Sequence, residues 1–138
     1  MRHRDVLITE GDHRRLRSLL TGPRAPASGR RGRRSYLRQR VRGARVVATA
    51  EIPRNVVTMN SRVVLRDLDS GDRMTCTLTY PGETVESRQR VPVDGPLGAA
   101  LLGKRVGQIV RWPAGARDRL LRIQQVLYQP EAAGDLHL

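Results

Sequence analysis

A chain of 138 residues has room for one domain of ordinary size, or for a smaller domain with a short helical appendage, which excludes a large multi-domain enzyme. Its formal net charge of +13 arises from 26 Lys and Arg against 13 Asp and Glu, so the chain is strongly basic. No apolar stretch approaches the roughly 20 residues that a membrane-spanning helix requires, so we expect a soluble, cytoplasmic protein.

The positive charge is concentrated in the first part of the chain. Residues 1 to 50 hold 14 Arg and 3 acidic residues, a net charge of +11. Residues 51 to 138 hold 12 basic and 10 acidic side chains, a net charge of +2. We therefore predict two parts, an Arg-rich appendage over residues 1–50 and a near-neutral globular domain over residues 51–138.

The appendage is predicted to form a short antiparallel helical hairpin. Thr9 and Asp12 fit a capping pattern, in which the hydroxyl and the carboxylate satisfy free amides at a helix start, and this helix runs to about residue 21. Residues 22–34 lack an apolar period and are predicted to be a mobile loop at the tip. A second helix begins near Ser35. The apolar stripes that face each other are Leu16, Leu19 and Leu20 with Leu37, Val41 and Ala44.

From residue 52 the apolar pattern changes to alternation, which is typical of strands. Strands are predicted at residues 63–66, 74–80, 88–93 and 106–112. The segment 120–128 also fits a helix, but we interpret it as a strand with a bulge near Gln124 and Gln125. A short helix begins at Pro96 and ends at a left-handed Gly103, and Leu97 and Leu101, which are four residues apart, predict that one face of it is buried. Together these elements predict an α+β domain, an antiparallel sheet of about five strands curled against one short helix.

Candidate catalytic residues are few. Cys76 lies in an alternating segment, which is typical of a thiol on the buried face of a strand. The three histidines lie in the N-terminal extension and the C-terminal tail, and none is adjacent to a nucleophile or to a set of metal ligands. We therefore expect no catalytic residues, no metal site and no cofactor.

Three sequence blocks resemble one family. Residues 95–107, GPLGAALLGKRVG, are similar to the SPIGRALLGKxVGD signature in the C-terminal domain of the Gre transcript-cleavage factors. Residues 56–63, VVTMNSRV, and residues 128–135, YQPEAAGD, resemble the Rnk branch of that superfamily, the regulators of nucleoside diphosphate kinase. The three blocks lie in the family's order, so the resemblance covers the whole C-terminal domain.

This resemblance implies an FKBP-like fold without isomerase function, and binding to bacterial RNA polymerase at the rim of its secondary channel. In Gre factors an Asp and a Pro two residues apart, in the loop before the short helix, contact the polymerase. The matching positions here are Asp94 and Pro96, with Leu97 beside them. We expect this corner to point outward. A structural reading stays open, in which Asp94 caps the short helix and Pro96 begins it.

The predicted tip departs from the Gre pattern. Gre factors cleave transcripts with acidic residues at the tip of a long coiled coil, where carboxylates help to hold a catalytic metal ion. Residues 22–34 contain no acid and five Arg, and arms of about 12 residues reach only about 18 Å. We therefore expect a monomeric transcription regulator that is not an enzyme and does not cleave transcripts.

An alternative function is binding of DNA or RNA through the Arg-rich hairpin. Guanidinium groups neutralise phosphates, and the candidate contacts are Arg30, Arg31, Arg33, Arg34 and Arg38. Tyr36 is the one aromatic residue there that could stack on a base, so such binding would be weakly sequence-selective. In a third interpretation these arginines form a solvated face without a partner.

Overall fold

The computed structural model describes residues 6–21, 31–82, 89–114 and 117–135. These residues form both helices and strands, which confirms the predicted α+β class. The elements in chain order are β1 (Leu7–Thr9), α1 (Glu10–Thr21), α2 (Arg31–Gly43), β2 (Arg45–Val47), a short 3-10 turn (Thr49–Glu51), β3 (Arg62–Asp67), β4 (Arg73–Thr79), β5 (Arg90–Pro92), α3 (Pro96–Leu101), β6 (Ile109–Ala114), β7 (Arg117–Tyr128) and α4 (Pro130–Ala133).

The first two helices pack against each other as a hairpin, with β1 and β2 paired in parallel at its base. Thr9 caps α1 as predicted, because its Oγ1 accepts the amide of Asp12 at 3.1 Å. The helix α2 begins at Arg31 rather than near Ser35, so residues 31–34 are helical and not loop. The rest of the predicted tip, residues 22–30, lies outside the described residues. The buried seam residues share one core with the sheet; they are Leu16, Leu20, Leu37 and Val41.

The main sheet has five strands in the order β5-β4-β3-β7-β6. Three of its pairings are antiparallel, but β4 and β5 run parallel. The prediction of a wholly antiparallel sheet is therefore wrong, and the sheet is mixed. A tight hairpin turn after β4 would have joined antiparallel neighbours directly. Instead, the connection extends from residue 80 to residue 89, which is long enough to return the chain to the end of the sheet where β4 began.

The last two strands differ in detail from the prediction. The segment 120–128, which also fitted a helix, belongs to the strand β7 as we interpreted it. The register of β7 against β3 shifts at Gln124, where a bulge was predicted, and again at Leu127. The strand β6 spans Ile109–Ala114 and so continues through Pro113, whereas the predicted strand covered residues 106–112. Proline is tolerated there because β6 is an edge strand, on which an amide can be absent without breaking an inner ladder.

The helix α3 closes the inner face of this curled sheet. Its residues Leu97, Ala99, Ala100 and Leu101 are buried in the core, which confirms the predicted apolar face. Gly103 follows with φ of +77°, the left-handed conformation predicted for the residue after this helix. Cys76 is 1% exposed, as its alternating pattern predicted, and burial raises the pKa of its thiol to about 11.

Candidate functional site

The corner before α3 is held by backbone hydrogen bonds. The amide of Gly95 donates to the carbonyl of Pro92 at 3.0 Å, and the amide of Ala99 donates to the carbonyl of Gly95 at 2.9 Å. Gly95 is the N-cap residue and Pro96 follows it at the start of the helix, so Pro96 begins α3 as the sequence predicted. The position of Pro96 is therefore fixed by the main chain.

Of the three predicted contact residues, Pro96 alone is exposed. Asp94 is 8% exposed and Leu97 is 4% exposed. The expectation that the whole corner points outward is therefore wrong for the side chains of Asp94 and Leu97. Leu97 lies on the apolar face that α3 turns into the core, and Asp94 is covered by the helical hairpin.

Asp94 faces a basic residue of that hairpin. Its Oδ2 lies 3.9 Å from Nη2 of Arg34 near the start of α2, and both side chains are 10% exposed. No side chain caps α3, so the capping role considered for Asp94 is wrong as well. At 3.9 Å the two groups attract each other electrostatically but are too far apart for a hydrogen bond. Asp94 thus connects the corner to the hairpin.

Arginines of the hairpin satisfy carbonyls at two helix ends. The last carbonyls of a helix have no partner within it and carry partial negative charge. At the end of α1, Leu19 O accepts Nη1 of Arg34 at 3.3 Å, and Leu20 O accepts Nη2 of Arg38 at 3.1 Å. At the end of α3, one nitrogen of the buried Arg40 donates to two carbonyls, those of Ala100 at 3.4 Å and Leu102 at 2.8 Å.

These contacts change the interpretation of the predicted nucleic-acid site. Arg34 is 8% exposed, so its prediction as an accessible contact is wrong, and Arg38 is half-buried and engaged. Arg31 and Arg33 belong to α2, but their side chains lie outside the described part, and Arg30 lies outside it altogether. Composition alone could not reveal this, because it does not show which guanidinium groups meet carbonyls.

A buried carboxylate, predicted only as a helix cap, joins the hairpin to the sheet. Asp12 is 7% exposed; its Oδ2 accepts the amide of Met59 at 3.1 Å, and its Oδ1 accepts the hydroxyl of Tyr80 at 3.1 Å. The guanidinium of Arg15 lies 4.2 Å from the centre of the Tyr80 ring. The predicted role of the Asp12 carboxylate as a helix cap is therefore wrong. Asp12 and Tyr80 are 68 residues apart, so no local pattern could reveal the contact.

The environment of Asp12 disfavours its charged form. Burial raises the pKa of its carboxyl from 3.8 to about 6, although the hydrogen bonds from Met59 and Tyr80 act in the opposite direction. The nearby Glu131 raises the pKa further, and its Oε1 accepts the hydroxyl of Thr58 at 2.6 Å. Burial also raises the pKa of Tyr80, so its hydroxyl stays protonated as the donor to Asp12.

We expect Asp12 to make stability fall as the pH rises from about 4 to about 6. The folded state binds the proton with a pKa of about 6 and the unfolded state with one of 3.8, so the folded state holds more protons in this range and loses that advantage above it. The free energy of unfolding of Asp12→Asn, relative to that of the wild type, should therefore rise by about 1–3 kcal/mol from pH 4 to pH 7.5. Urea unfolding at both pH values measures this difference.

The control for that measurement is Asp72→Asn, at an exposed acidic residue of the β3–β4 turn. Its unfolding free energy should follow that of the wild type at both pH values. Parallel pH profiles for Asp12→Asn and the wild type would contradict the account of the buried carboxyl.

The described part of the chain holds no group of three or more His, Cys, Asp and Glu side chains arranged to bind a metal ion. In the same ranges, every helix is too short or too polar to cross a membrane. The features available for a functional site there include the rigid corner at Pro96 and the buried junction at Asp12.

Known proteins are similar to this chain over much of its length. The family described as the C-terminal domain of transcription elongation factor GreA/GreB matches residues 52–128. A regulator of nucleoside diphosphate kinase from Escherichia coli K12 is 45% identical over 94 residues, which cover 67% of this chain and 68% of that protein. Transcription elongation factor GreB from Xanthomonas axonopodis pv. citri is 39% identical over 71 residues, covering 51% and 42% of the two chains.

A solved structure has a similar fold. The prokaryotic transcription elongation factor GreA/GreB from Nitrosomonas europaea superimposes with a TM-score of 0.73 at 34% identity, covering 89% of this chain and 98% of that one. The similarity therefore extends beyond the sheet and α3 into the N-terminal helices.

Proposed function

Because the chain belongs to the GreA/GreB family of transcription elongation factors and is similar to the regulators of nucleoside diphosphate kinase, we propose that it is an RNA polymerase-binding transcription regulator. Its curled sheet with α3 is the FKBP-like fold of that family's C-terminal domain. The observation that carries the proposal is the family match over residues 52–128, which includes the corner before α3. The protein docks near the secondary channel of the polymerase, in the cytoplasm, and has no enzymatic activity of its own.

The proposed docking surface is centred on Pro96. Its ring is exposed, while Leu97 acts from inside by fixing α3 in the core. Asp94 reaches the polymerase only if a basic group of the polymerase takes the place of Arg34. The separation of 3.9 Å favours this exchange, because no hydrogen bond has to break. Residues 51–138 supply this surface, and residues 1–50 form an appendage that is joined to it.

The proposal does not include transcript cleavage. A hard Mg²⁺ ion requires oxygen ligands such as carboxylates, and residues 22–34 contain no Asp or Glu. The helices α1 and α2 have 12 and 13 residues, so each arm is about 18–20 Å long. The protein thus occupies the channel rim without placing a metal ligand at the transcript.

Pro96→Glu should weaken binding to purified RNA polymerase at least tenfold, because it replaces an apolar ring at the centre of the surface with a charge. Glutamate is tolerated in the first turn of a helix, where it interacts favourably with the helix dipole. We therefore expect the unfolding free energy to change by less than about 1 kcal/mol. Titration of the labelled protein with polymerase, together with thermal unfolding, measures both quantities.

The matched control is Pro53→Glu, at an exposed proline far from α3 in the sequence. It should bind polymerase like the wild type. If Pro96→Glu binds as tightly as Pro53→Glu, the corner is not the docking surface. If the wild type fails to bind polymerase, or releases short RNA fragments from backtracked complexes, the proposed function is wrong.

The alternative of nucleic-acid binding through the hairpin stays a prediction for Arg30, Arg31 and Arg33. Arg34 and Arg38 no longer support it, since both donate to carbonyls at the end of α1. A full-length variant with Ser at these three positions tests this alternative, because its affinity for DNA or RNA should then fall below that of the wild type.

A further inference from the structure

The face of the five-stranded sheet opposite α3, here called the outer sheet face, is rich in arginine. Along β3 the side chains of Val63 and Leu65 are buried in the core, so the alternate residues Arg62 and Arg66 point outward and are exposed. Residues directly opposite each other in an antiparallel pair lie on the same face. The register therefore identifies the other residues of the outer sheet face.

Three arginines form one row across three adjacent strands. Arg66 on β3 is opposite Arg73 on β4 and also opposite Arg122 on β7. At a strand spacing of about 4.8 Å, the row spans about 10 Å, and Arg62 lies about 13 Å from Arg66 along β3. All four residues are exposed. None of them takes part in the ion pairs that the described residues form.

This row of like charges destabilises the folded protein. Like charges directly opposite each other in a sheet are destabilising. The spacing of about 5 Å between opposite residues is well inside the screening length of physiological salt. The described outward positions of β3, β4, β6 and β7 include one acid, Asp118, which lies 3.4 Å from Arg111 rather than beside the row. Packing does not explain the row, since exposed side chains fill no core. A bound polyanion would remove the repulsion.

We infer that the outer sheet face binds the sugar-phosphate backbone of a nucleic acid. Guanidinium groups match phosphate oxygens in charge and in forked geometry. Evenly spaced positive charges suit a linear polyanion, because successive phosphates neutralise successive guanidinium groups. Uncharged donors of the kind that contact phosphates and sugars accompany the row, namely Thr75 and Thr77 on β4 and Gln125 on β7.

A surface hollow adjoins the row of arginines and could accommodate part of the nucleic-acid strand. Its volume is about 460 Å³, and it lies beside the bulge at Gln124; its lining includes Arg73, Arg122, Gln125 and Gly107. Tyr128 is half-buried opposite Arg62, so this face offers little aromatic surface for bases to stack on. Binding is therefore directed at the backbone and is weakly selective for sequence. The outer sheet face lies on the side of the sheet opposite α3 and Pro96, so the proposed site does not depend on polymerase docking.

The test compares full-length variants in binding to a fluorescein-labelled 20-residue single strand, as DNA and as RNA, and to a duplex of the same length. The combined variant Arg66→Ser, Arg73→Ser and Arg122→Ser should lose at least tenfold in affinity at 50 mM salt. The plot of the logarithm of the binding constant against the logarithm of salt concentration should become less steep by about 2–3, since each lost phosphate contact contributes about 0.7–0.9 to the slope. Its thermal midpoint should equal or exceed that of the wild type, because the repulsion is removed.

The matched control replaces Arg14, Arg45 and Arg54 with Ser, which removes the same charge from exposed residues outside the five-stranded sheet. It should retain most of the affinity and of the salt slope. Equal losses in both variants would show a mere effect of net charge and overturn the inference. Loss with the Arg30, Arg31 and Arg33 variant alone would place binding on the hairpin and also overturn it.

Two further outcomes would overturn the inference. One is a wild type that binds no probe at 50 mM salt. The other is a row variant with unchanged nucleic-acid affinity but weakened polymerase binding, which would assign the face to a protein partner. Failure of Pro96→Glu to affect polymerase binding would leave this site untouched, so the two proposals can fail separately.

Discussion

Gly98→Ala should destabilise the protein by about 3 kcal/mol or more and reduce polymerase binding in proportion to the loss of folded protein. A Cβ atom at position 98 would lie 2.0 Å from the carbonyl oxygen of Pro92, 2.7 Å from its carbonyl carbon and 2.9 Å from Cα of Val93. All three are backbone atoms that cannot rotate aside, so α3 would have to move away from β5. Urea unfolding measures the loss.

The control for this effect is Gly11→Ala, because Gly11 lies in α1 and a Cβ there would meet nothing within 4 Å. Alanine in a helix is favoured over glycine by about 0.5–1 kcal/mol, so this variant should be as stable as the wild type or slightly more stable. If Gly98→Ala also unfolds like the wild type, α3 does not rest on the backbone of β5, and the account of the rigid corner is wrong.

Gly103→Ala should destabilise the protein by about 2–4 kcal/mol and loosen the hairpin from the sheet. Gly103 has φ of +77°, and a Cβ there would lie 2.5 Å from Cγ1 of Val6 and 2.8 Å from the carbonyl oxygen of Leu7. The amide of Leu7 donates to the carbonyl of Gly103 at 3.1 Å, so the clash falls where β1 attaches to the rest of the molecule. Hydrogen exchange at the amides of β1 and β2 should become faster than at β3.

The control for Gly103 separates backbone strain from collision. Gly107 also has a positive φ, of +96°, but a Cβ there would meet nothing within 4 Å. Gly107→Ala should therefore cost only the strain of a left-handed residue, about 1–2 kcal/mol, without faster exchange in β1. Equal losses of unfolding free energy and equal exchange rates in β1 for the two variants would show that the contact of position 103 with Val6 and Leu7 does not affect stability.

Features fixed by neighbouring residues were predictable from the sequence. The Thr9 cap, the start of α3 at Pro96, the left-handed Gly103 and the buried Cys76 each depend on a few adjacent positions, and the structure confirms all four. Family membership was predictable for the same reason, since three continuous blocks carry it.

The predicted site was only partly correct because burial depends on what packs over a residue. The sequence pointed to Asp94, Pro96 and Leu97 as one outward corner, yet Pro96 alone is exposed. An apolar period predicts that Leu97 faces inward, but it gives no information about the hairpin that covers Asp94. Likewise, a run of arginines does not show that Arg34 and Arg38 meet the carbonyls of another helix.

The sequence by itself determined the α+β class, the hairpin, most element boundaries within a few residues and the family, because these depend on local propensity, apolar period and continuous motifs. Only the tertiary structure decided which polar residues are neighbours: the Asp12 carboxylate accepts the Tyr80 hydroxyl, Arg40 donates to carbonyls at the end of α3, and Arg66 lies opposite both Arg73 and Arg122. The physical reason is that these contacts depend on strand register and on packing between distant segments. The sequence indicated a bulge near Gln124, but the residue of β7 that lies opposite each residue of β3 depends on pairing across the sheet, and the second shift at Leu127 was not predicted.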